Sequence, residues 1–328
     1  METHSRALPE FKSCLAGLLK EFLVEKLSCG YGYSSEMGIL CRLDSFILGN
    51  KISARELPRD LVEVWIGRRK NESGRTQQIR THVTAQFARF MGCRGLKAFV
   101  PDSRLIPLLH SNFVPYIFTR DELRRLFGAA DNLDFSPISP LRQLLMPEFF
   151  RLLYGCGLRS GEACALILRD VNLDQGILTI RNSKFHKDRL VPMAPELTAR
   201  LKQMQKSLGK RVSTAYFFPA PDEGPYCTSS IYETFRFLLW KTGIPHGGRQ
   251  KGPRVHDLRH TFAVHRMEQW YREGADLNAK LPVLAAYMGH EGLVCGQQYL
   301  HLTLDLFADL SARLDRDLGH IIPRREDR

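Results

Sequence analysis

The residues with the clearest chemical potential lie between positions 255 and 299. In the run VHDLRHTFAVHRM, His256 and Arg259 are three positions apart, so a helix there would place both on one face. His290 is flanked by glycines in MGHEG, and Tyr299 follows nine positions later. A guanidinium holds phosphate through two parallel hydrogen bonds, an imidazole can exchange a proton near neutral pH, and tyrosine can attack phosphorus. These residue types together indicate a site for a phosphodiester.

The composition favours a polyanionic partner. The 328 residues contain 47 Lys+Arg against 35 Asp+Glu, a formal net charge of +12, and nucleic acid is the commonest partner of such a chain. A basic protein without such a partner remains the alternative on charge alone. The eight cysteines are scattered without a CxxC pair, which favours reduced thiols, and no run of about 18 apolar residues occurs. We therefore expect a soluble, cytoplasmic protein with no membrane partner.

The first hundred residues predict a small helical bundle. Apolar residues recur at helical spacing over 11–23, 40–47, 58–65 and 76–91. Basic residues precede the last of these runs and continue on its polar side, with few acidic residues between them. A solvated surface is the alternative, but this pattern favours contact with phosphates. The DNA-binding candidates here are Arg68, Arg69, Lys70, Arg75 and Arg80.

A proline-rich stretch at residues 106–118 separates the two halves and predicts a linker. Thr119 and Glu122 then form a capping-box pattern at the start of a helix. Farther on, β-type runs at 177–180 and 189–191 surround NSKFHKD and predict a hairpin. The remainder of the second half has helical spacing, and GCGLRSG lacks the preceding strand that a dinucleotide site requires.

Several motifs of the second half stand in a characteristic order. They are Arg159 in GLRSGE, Lys184 in KFHKDRLVP, His256 and Arg259 in HDLRHTFA, His290 in MGH, and Tyr299 in YLH. This set resembles the signature of the tyrosine recombinase (phage integrase) family over residues 119 to about 305. The first half resembles the family only as a helical, basic, DNA-clamping domain.

The resemblance implies a mainly α fold with a small β-hairpin or sheet (α+β). Residues 1–105 would form a SAM-like, helical core-binding domain for DNA, and 106–118 the linker. Residues 119–328 would form the tyrosine-recombinase catalytic domain, which completes a C-shaped DNA clamp. The interval between Arg259 and His290 is longer than is usual in the family.

The resemblance also implies a role for each residue in the cleavage of a DNA strand. Tyr299 would be the nucleophile that forms a 3′-phosphotyrosine, and Arg159 with Arg259 would stabilise the charge of the pentavalent transition state. His256 would act as general base and Lys184 as general acid for the leaving 5′-oxygen. The covalent ester conserves the bond energy, so neither metal, ATP nor any other cofactor is implied.

Two further residues receive supporting roles from the resemblance. His290 would donate a hydrogen bond to a non-bridging phosphate oxygen, and Glu162 would orient an arginine or a backbone segment. Lys187 competes with Lys184 for the role of general acid and is otherwise a candidate for DNA contact.

Alternatives remain open for several residues. Arg159 or Arg259 alone would more often be a surface ion-pair partner. His256 and His260 could form half of a metal site, although the glutamate of HExxH is missing. Among the nearby tyrosines, Tyr287 is better interpreted as a packed helix residue than as the nucleophile.

The expected function is site-specific DNA recombination or integration, most simply for a mobile element because no arm-binding domain precedes residue 10. Double-stranded DNA with paired recombination half-sites would be the partner. A homodimer or tetramer would form on DNA, with the amphipathic helix at 304–318 docking into a neighbour or packing within its own chain. A catalytically silent DNA-binding accessory protein and a type IB-like topoisomerase are the alternatives.

Overall fold

The chain consists of two compact units, residues 1–113 and 114–328, in a computed structural model. Each unit packs around its own hydrophobic core. Within the described residues, the structure is mainly helical with one small sheet, which confirms the predicted α+β class. No helix in this part of the chain combines the length and apolar character needed to cross a membrane. The structure describes residues 8–102, 114–181, 188–248 and 252–289.

The described part of the first unit is a bundle of four helices. Phe22 lies at its centre, and its ring meets those of Phe87 and Phe90 edge to face at centroid distances of 5.6 and 5.2 Å. The last helix begins before the predicted position 76 because Ser73 Oγ accepts the N–H of Thr76 at 3.1 Å. The helices are α1 (Ala16–Ser28), α2 (Ser34–Gly49), α3 (Arg59–Ile66) and α4 (Gly74–Cys93).

The second unit contains the remaining described helices and all of the described strands. Its helices are α5 (Arg120–Asp131), α6 (Arg142–Cys156), α7 (Ser160–Ala165), α8 (Pro195–Leu208), α9 (Thr228–Lys241), α10 (Asp257–Arg272) and α11 (Leu277–Met288). Its strands are β1 (Val171–Asn172), β2 (Ile177–Ile180) and β3 (Arg189–Pro192).

The start of α5 is set by the predicted capping box. Thr119 Oγ1 accepts the N–H of Glu122 at 3.1 Å, and Glu122 Oε2 accepts the N–H of Thr119 at 2.8 Å. The residue before this box, Phe118, is fully buried, and its N–H donates to Thr261 Oγ1 of α10 at 3.1 Å. The end of the predicted linker is therefore part of the second unit and packs into its core.

The sheet is antiparallel with the order β1-β2-β3. In the hairpin, Ile177 pairs with Pro192 and Ile180 with Arg189. Leu178, Ile180 and Val191 are buried, so this face of the hairpin belongs to the core of the unit. The strands were predicted at these positions, whereas the two-residue β1 was not because it is too short to show a pattern.

Helix α6 runs through the core of the second unit. Phe149 and Phe150 are fully buried, and their rings meet Phe218 and Phe235 at centroid distances of 5.3 and 5.6 Å. Pro147 lies inside this helix. Helix α6 packs against α5, α8 and α10, and it also contacts α7, so it links the elements that carry the site residues.

The turn after α6 requires glycine. Gly157 has φ +59°, and a Cβ built there would lie 2.5 Å from Cδ1 of Phe262. The left-handed conformation costs other residues about 1–2 kcal/mol, and overpacking adds a similar amount. The close contact between Gly157 and Phe262 brings α10 next to the start of α7, where Arg159 and Glu162 lie.

Gly157→Ala is expected to lower the free energy of unfolding by roughly 2–4 kcal/mol, for the two reasons just given. Urea unfolding of the full chain measures this. Gly161→Ala is the matched control, since Gly161 has open space at its Cβ position and should be neutral or slightly stabilised. Equal midpoints for the two variants would contradict the prediction.

Candidate active site

Arg159 and Glu162 form the base of the site at the start of α7. Glu162 is the third residue of this helix, and its Oε2 accepts the N–H of Arg159 at 2.9 Å. Its Oε1 accepts Nη1 of the same arginine at 2.7 Å. One carboxylate therefore holds both the backbone and the guanidinium of Arg159.

Arg189 of β3 is a member of the site that the sequence analysis did not single out. Its Nη1 and Nη2 donate to Oε1 and Oε2 of Glu162 at 2.9 and 2.8 Å. A signal existed: Arg189 lies two positions before buried Val191, so both point to the same face of the strand. An arginine on a core-facing strand position predicts a buried acidic partner.

Arg259 lies deepest in the site, with 1% of its side chain exposed. Its Nη1 donates to the carbonyl of Gly157 at 2.5 Å and lies 4.0 Å from Glu162 Oε2. Arg159 and Arg259 are a hundred residues apart in the chain, yet both lie beside the Glu162 carboxylate and the turn at Gly157.

Three arginines also bind the C-terminal end of α11. The last carbonyls of a helix have no partner within it, and cations there match the helix dipole. Here three consecutive carbonyls each accept from a different element of the fold. The pairs are Arg189 Nε with Tyr287 O at 2.9 Å, Arg259 Nη2 with Met288 O at 2.7 Å, and Arg159 Nη2 with Gly289 O at 3.1 Å. The cluster therefore fixes the backbone immediately before position 290.

The electrostatics of this cluster favour an anion. Burial alone would raise the pKa of Glu162, but hydrogen bonds from Arg189 and the Arg159 backbone lower it to about 2. Among the described residues, the Glu162 carboxylate faces three guanidiniums, so positive charge exceeds negative charge in this contact. Arg159 is the most exposed of the three, at 26% against 11% for Arg189 and 1% for Arg259. Arg159 is thus the member best placed to receive a solvent-borne anion.

The lowered pKa of Glu162 predicts a pH dependence of stability. Its carboxylate contributes fully above its ordinary pKa of 4.5, and the contribution is lost as the pH falls toward 2. The difference corresponds to about 3 kcal/mol. Glu162→Gln should cost about this much in unfolding free energy at pH 7 and much less near pH 2, by urea titration. Glu233→Gln, on an exposed side chain of α9, is the control and should change neither value.

His256 lies at the N-cap of α10, one turn before Arg259. The residue is exposed as a whole, but protein atoms crowd its ring, and desolvation followed by the charges of His260 and Arg259 lowers its pKa to about 4. Its ring meets that of His260 edge to face at 4.8 Å between centroids. His256 is therefore neutral near pH 7 and able to accept a proton. Within the described residues, no group of three or more His, Cys, Asp and Glu side chains is arranged to hold a metal ion.

Several predicted residues lie outside the described part of the chain. They are Lys184, Lys187, His290, Tyr299 and the segment 304–318. The described residues come close to two of them, since Asp188 follows Lys187 and Gly289 precedes His290.

The basic side of the first unit is divided by the structure. Arg68, Arg69, Lys70 and Arg75 are exposed. Arg80 is 2% exposed, and its Nη2 donates to Glu72 Oε2 at 2.6 Å and to Gly67 O at 3.0 Å. This burial argues against the DNA contact predicted for Arg80. The arginine instead ties α4 to the loop before it.

The second unit is mainly helical with a small antiparallel sheet, and its arginine cluster lies near His256. Such a group of guanidiniums is suited to binding phosphate. The sequence model of the phage integrase family matches residues 117–305, more than half of the chain. The chain belongs to this family, that of the tyrosine-type site-specific recombinases.

Individual relatives agree with this assignment. The integrase/recombinase y4rB of Sinorhizobium fredii is 31% identical over 78% of this chain and 83% of its own. The integrase/recombinase y4rE of the same organism is 30% identical over 94% of this chain and 98% of its own. The crystal structure of the XerH site-specific recombinase, bound to a palindromic difH substrate in a post-cleavage complex, has a TM-score of 0.62. It covers 93% of this chain and 98% of its own at 16% identity, so it is similar in fold.

Proposed function

We propose that this recombinase cuts and rejoins double-stranded DNA at paired half-sites through a covalent 3′-phosphotyrosine on Tyr299. The observation that carries the proposal is the arginine cluster on Glu162, whose most exposed member is Arg159. The same cluster binds the backbone carbonyls that lead into position 290. The arginines that would stabilise the negative charge of the transition state thus contact the backbone of Met288 and Gly289, from which the chain continues to Tyr299.

The proposed cleavage step breaks the bond between phosphorus and the 5′-oxygen. The Tyr299 phenol attacks phosphorus and gives its proton to His256, which is neutral at pH 7. Lys184 gives a proton to the departing 5′-oxygen, and His290 donates a hydrogen bond to a non-bridging oxygen. Religation reverses these transfers, because the phosphotyrosine ester keeps the bond energy.

Arg159 and Arg259 differ in exposure and in hydrogen-bond partners before DNA binds. Arg159 is partly exposed and can add a phosphate oxygen to its existing partners. Arg259 is buried on the carbonyls of Gly157 and Met288. We propose that Arg259 reaches the phosphate by exchanging the Met288 carbonyl for a phosphate oxygen. Substrate binding then changes how the end of α11 is held.

Other parts of the chain receive roles that rest on the family. We propose that residues 1–105 bind DNA through Arg68, Arg69, Lys70 and Arg75, that Lys187 also contacts DNA, and that 119–328 form the catalytic domain. Two or four copies would assemble on DNA, with the segment 304–318 contributing to the contact. The integrase/recombinase names of the relatives favour service to a mobile element. We also propose that the protein acts in the cytoplasm, on the DNA that is its substrate.

The test of this function is to trap the covalent intermediate. A suicide duplex with a nick near the cleavage point loses the short 5′-hydroxyl fragment, so cleaved DNA remains attached to the protein. Peptide mapping should find the DNA on Tyr299, and sequencing of the attached 3′ ends gives the target site. An adduct on another residue, or hydrolysis without an adduct on a duplex that contains the target, would contradict the proposal.

Lys184→Ala should lose cleavage on ordinary DNA and regain it when a sulfur atom replaces the leaving 5′-oxygen. A thiolate leaves without a proton, whereas an alkoxide requires a general acid. The ratio of adduct formation on the two substrates measures the role. Lys187→Ala is the matched control and should show no such rescue. If Lys187→Ala is rescued and Lys184→Ala is not, the acid role belongs to Lys187.

A further inference from the structure

A cavity that shares His256 with the candidate active site opens next to it. It has a volume of about 420 Å³ and lies between the starts of α7, α9 and α10. Six polar residues carry its chemistry, and they are Ser160, Thr228, Ser229, Tyr232, Arg254 and His256. The cavity adjoins the candidate active site on two sides, since Ser160 follows Arg159 in the chain and His256 belongs to both.

The cavity lining combines six polar residues with two apolar ones, Ile231 and Val255. Four of the polar residues carry hydroxyl groups, one a guanidinium and one an imidazole. Neither Asp nor Glu occurs among the described residues that line it. The hydroxyl groups and the guanidinium are groups that can donate hydrogen bonds to the oxygens of an anionic ligand.

Arg254 is held in place by a partner outside the cavity lining. Its Nη2 donates to Asp257 Oδ1 at 3.0 Å, and its backbone N–H donates to Asp257 Oδ2 at 2.8 Å. Asp257 is fully buried, while 40% of the Arg254 side chain remains exposed. The buried carboxylate thus orients the guanidinium at the edge of the cavity.

Tyr232 is also oriented by neighbours. Arg236 Nη1 donates to the phenol oxygen at 3.3 Å, and the same oxygen lies 3.5 Å from His246 Nε2, so two neighbours hold the phenol at the edge of the cavity. Thr228 and Ser229 are the first two residues of the 14-residue helix α9, so the positive end of its dipole adds to the same field.

We propose that this cavity binds the backbone phosphate next to the scissile phosphate on the cleaved strand. The inference rests on the proposed function, because Arg159 receives the scissile phosphate. Successive phosphates of one strand follow every 3.4 Å or so along the helix axis, so a strand held at Arg159 carries a second phosphate nearby. Two fixed phosphates align the strand with the nucleophile, and the cavity therefore positions the substrate.

The test combines a neutral phosphate with a cavity variant. Suicide duplexes carry a single methylphosphonate at the phosphate on either side of the scissile one, which removes the charge without breaking the strand. For the wild type, neutralisation at one of these two positions should slow adduct formation roughly tenfold. The variant Thr228→Val/Ser229→Ala should be slowed by a similar factor on unmodified DNA.

The decisive result is the combination of the two changes. If the hydroxyls act on that phosphate, the methylphosphonate should slow the double variant far less than it slows the wild type. The control Ser213→Ala/Thr214→Val removes exposed hydroxyls elsewhere in the same unit and should keep the full wild-type sensitivity. Unchanged urea midpoints for both variants exclude loss of folding as the cause.

The outcomes separate this inference from the proposed function. If wild type forms the Tyr299 adduct but is insensitive to both flanking methylphosphonates, the cavity does not bind an adjacent phosphate. The inference is also overturned if the methylphosphonate slows Thr228→Val/Ser229→Ala by the same factor as it slows the wild type. Failure of wild type to form any adduct on unmodified target DNA overturns the function itself.

Discussion

Tyr299→Phe is expected to abolish the covalent protein–DNA adduct while DNA binding stays within about twofold of wild type. The substitution removes the phenol oxygen, which is the only atom that can form the phosphotyrosine bond, and leaves the ring in place. Adduct formation on a suicide duplex and DNA affinity at fixed salt measure the two quantities.

Tyr287→Phe is the matched control for this experiment. The Tyr287 hydroxyl donates to the carbonyl of Pro192 at 2.8 Å, and its ring stacks on Phe262 with centroids 5.7 Å apart. Burial raises the pKa of this phenol further above its ordinary value, which opposes its use as a nucleophile. The control should form the adduct and lose only about 1 kcal/mol of stability. Adduct formation by Tyr299→Phe and its loss in Tyr287→Phe would assign the nucleophile to Tyr287.

Arg159→Lys should slow adduct formation by about 10²–10³-fold at saturating DNA. The guanidinium already donates to Glu162 and Gly289 and still has N–H groups for a phosphate oxygen. An ammonium group cannot reproduce this planar arrangement, so lysine keeps the charge but loses the geometry. Because charge on the phosphate grows in the transition state, the loss should appear in the rate of cleavage more than in DNA affinity.

Single-turnover cleavage with DNA in excess isolates this effect from binding. Arg169→Lys is the control, since Arg169 is an exposed arginine of the same unit and should be within about twofold of wild type. An Arg159→Lys rate within tenfold of wild type would show that the guanidinium does not stabilise the transition state. A rate loss that disappears at higher DNA concentration would assign Arg159 to binding instead.

The local sequence determined most of the elements because their causes lie within a few residues. The Thr119 and Glu122 pattern predicted the start of α5, since both hydrogen bonds of the box join residues three apart. The β-type runs at 177–180 and 189–191 predicted the hairpin, and the helical spacing of the remaining second half agrees with helices such as α8. The order of the motifs also indicated that Arg159 and Arg259 belong to one site.

Only the tertiary structure decided how each charge is used. Arg69 and Arg80 belong to the same basic stretch, yet Arg69 is exposed and Arg80 is buried on Glu72, because the fold brings one of them against the core. The clamp of Arg189 on Glu162 joins residues 27 apart, and the contact of Arg159 with Gly289 joins residues 130 apart. A buried charge persists only where the fold supplies its partner, and that partner comes from a distant part of the chain. The sequence therefore determines which charged groups are present, whereas the tertiary structure determines which of them form ion pairs and hydrogen bonds with one another.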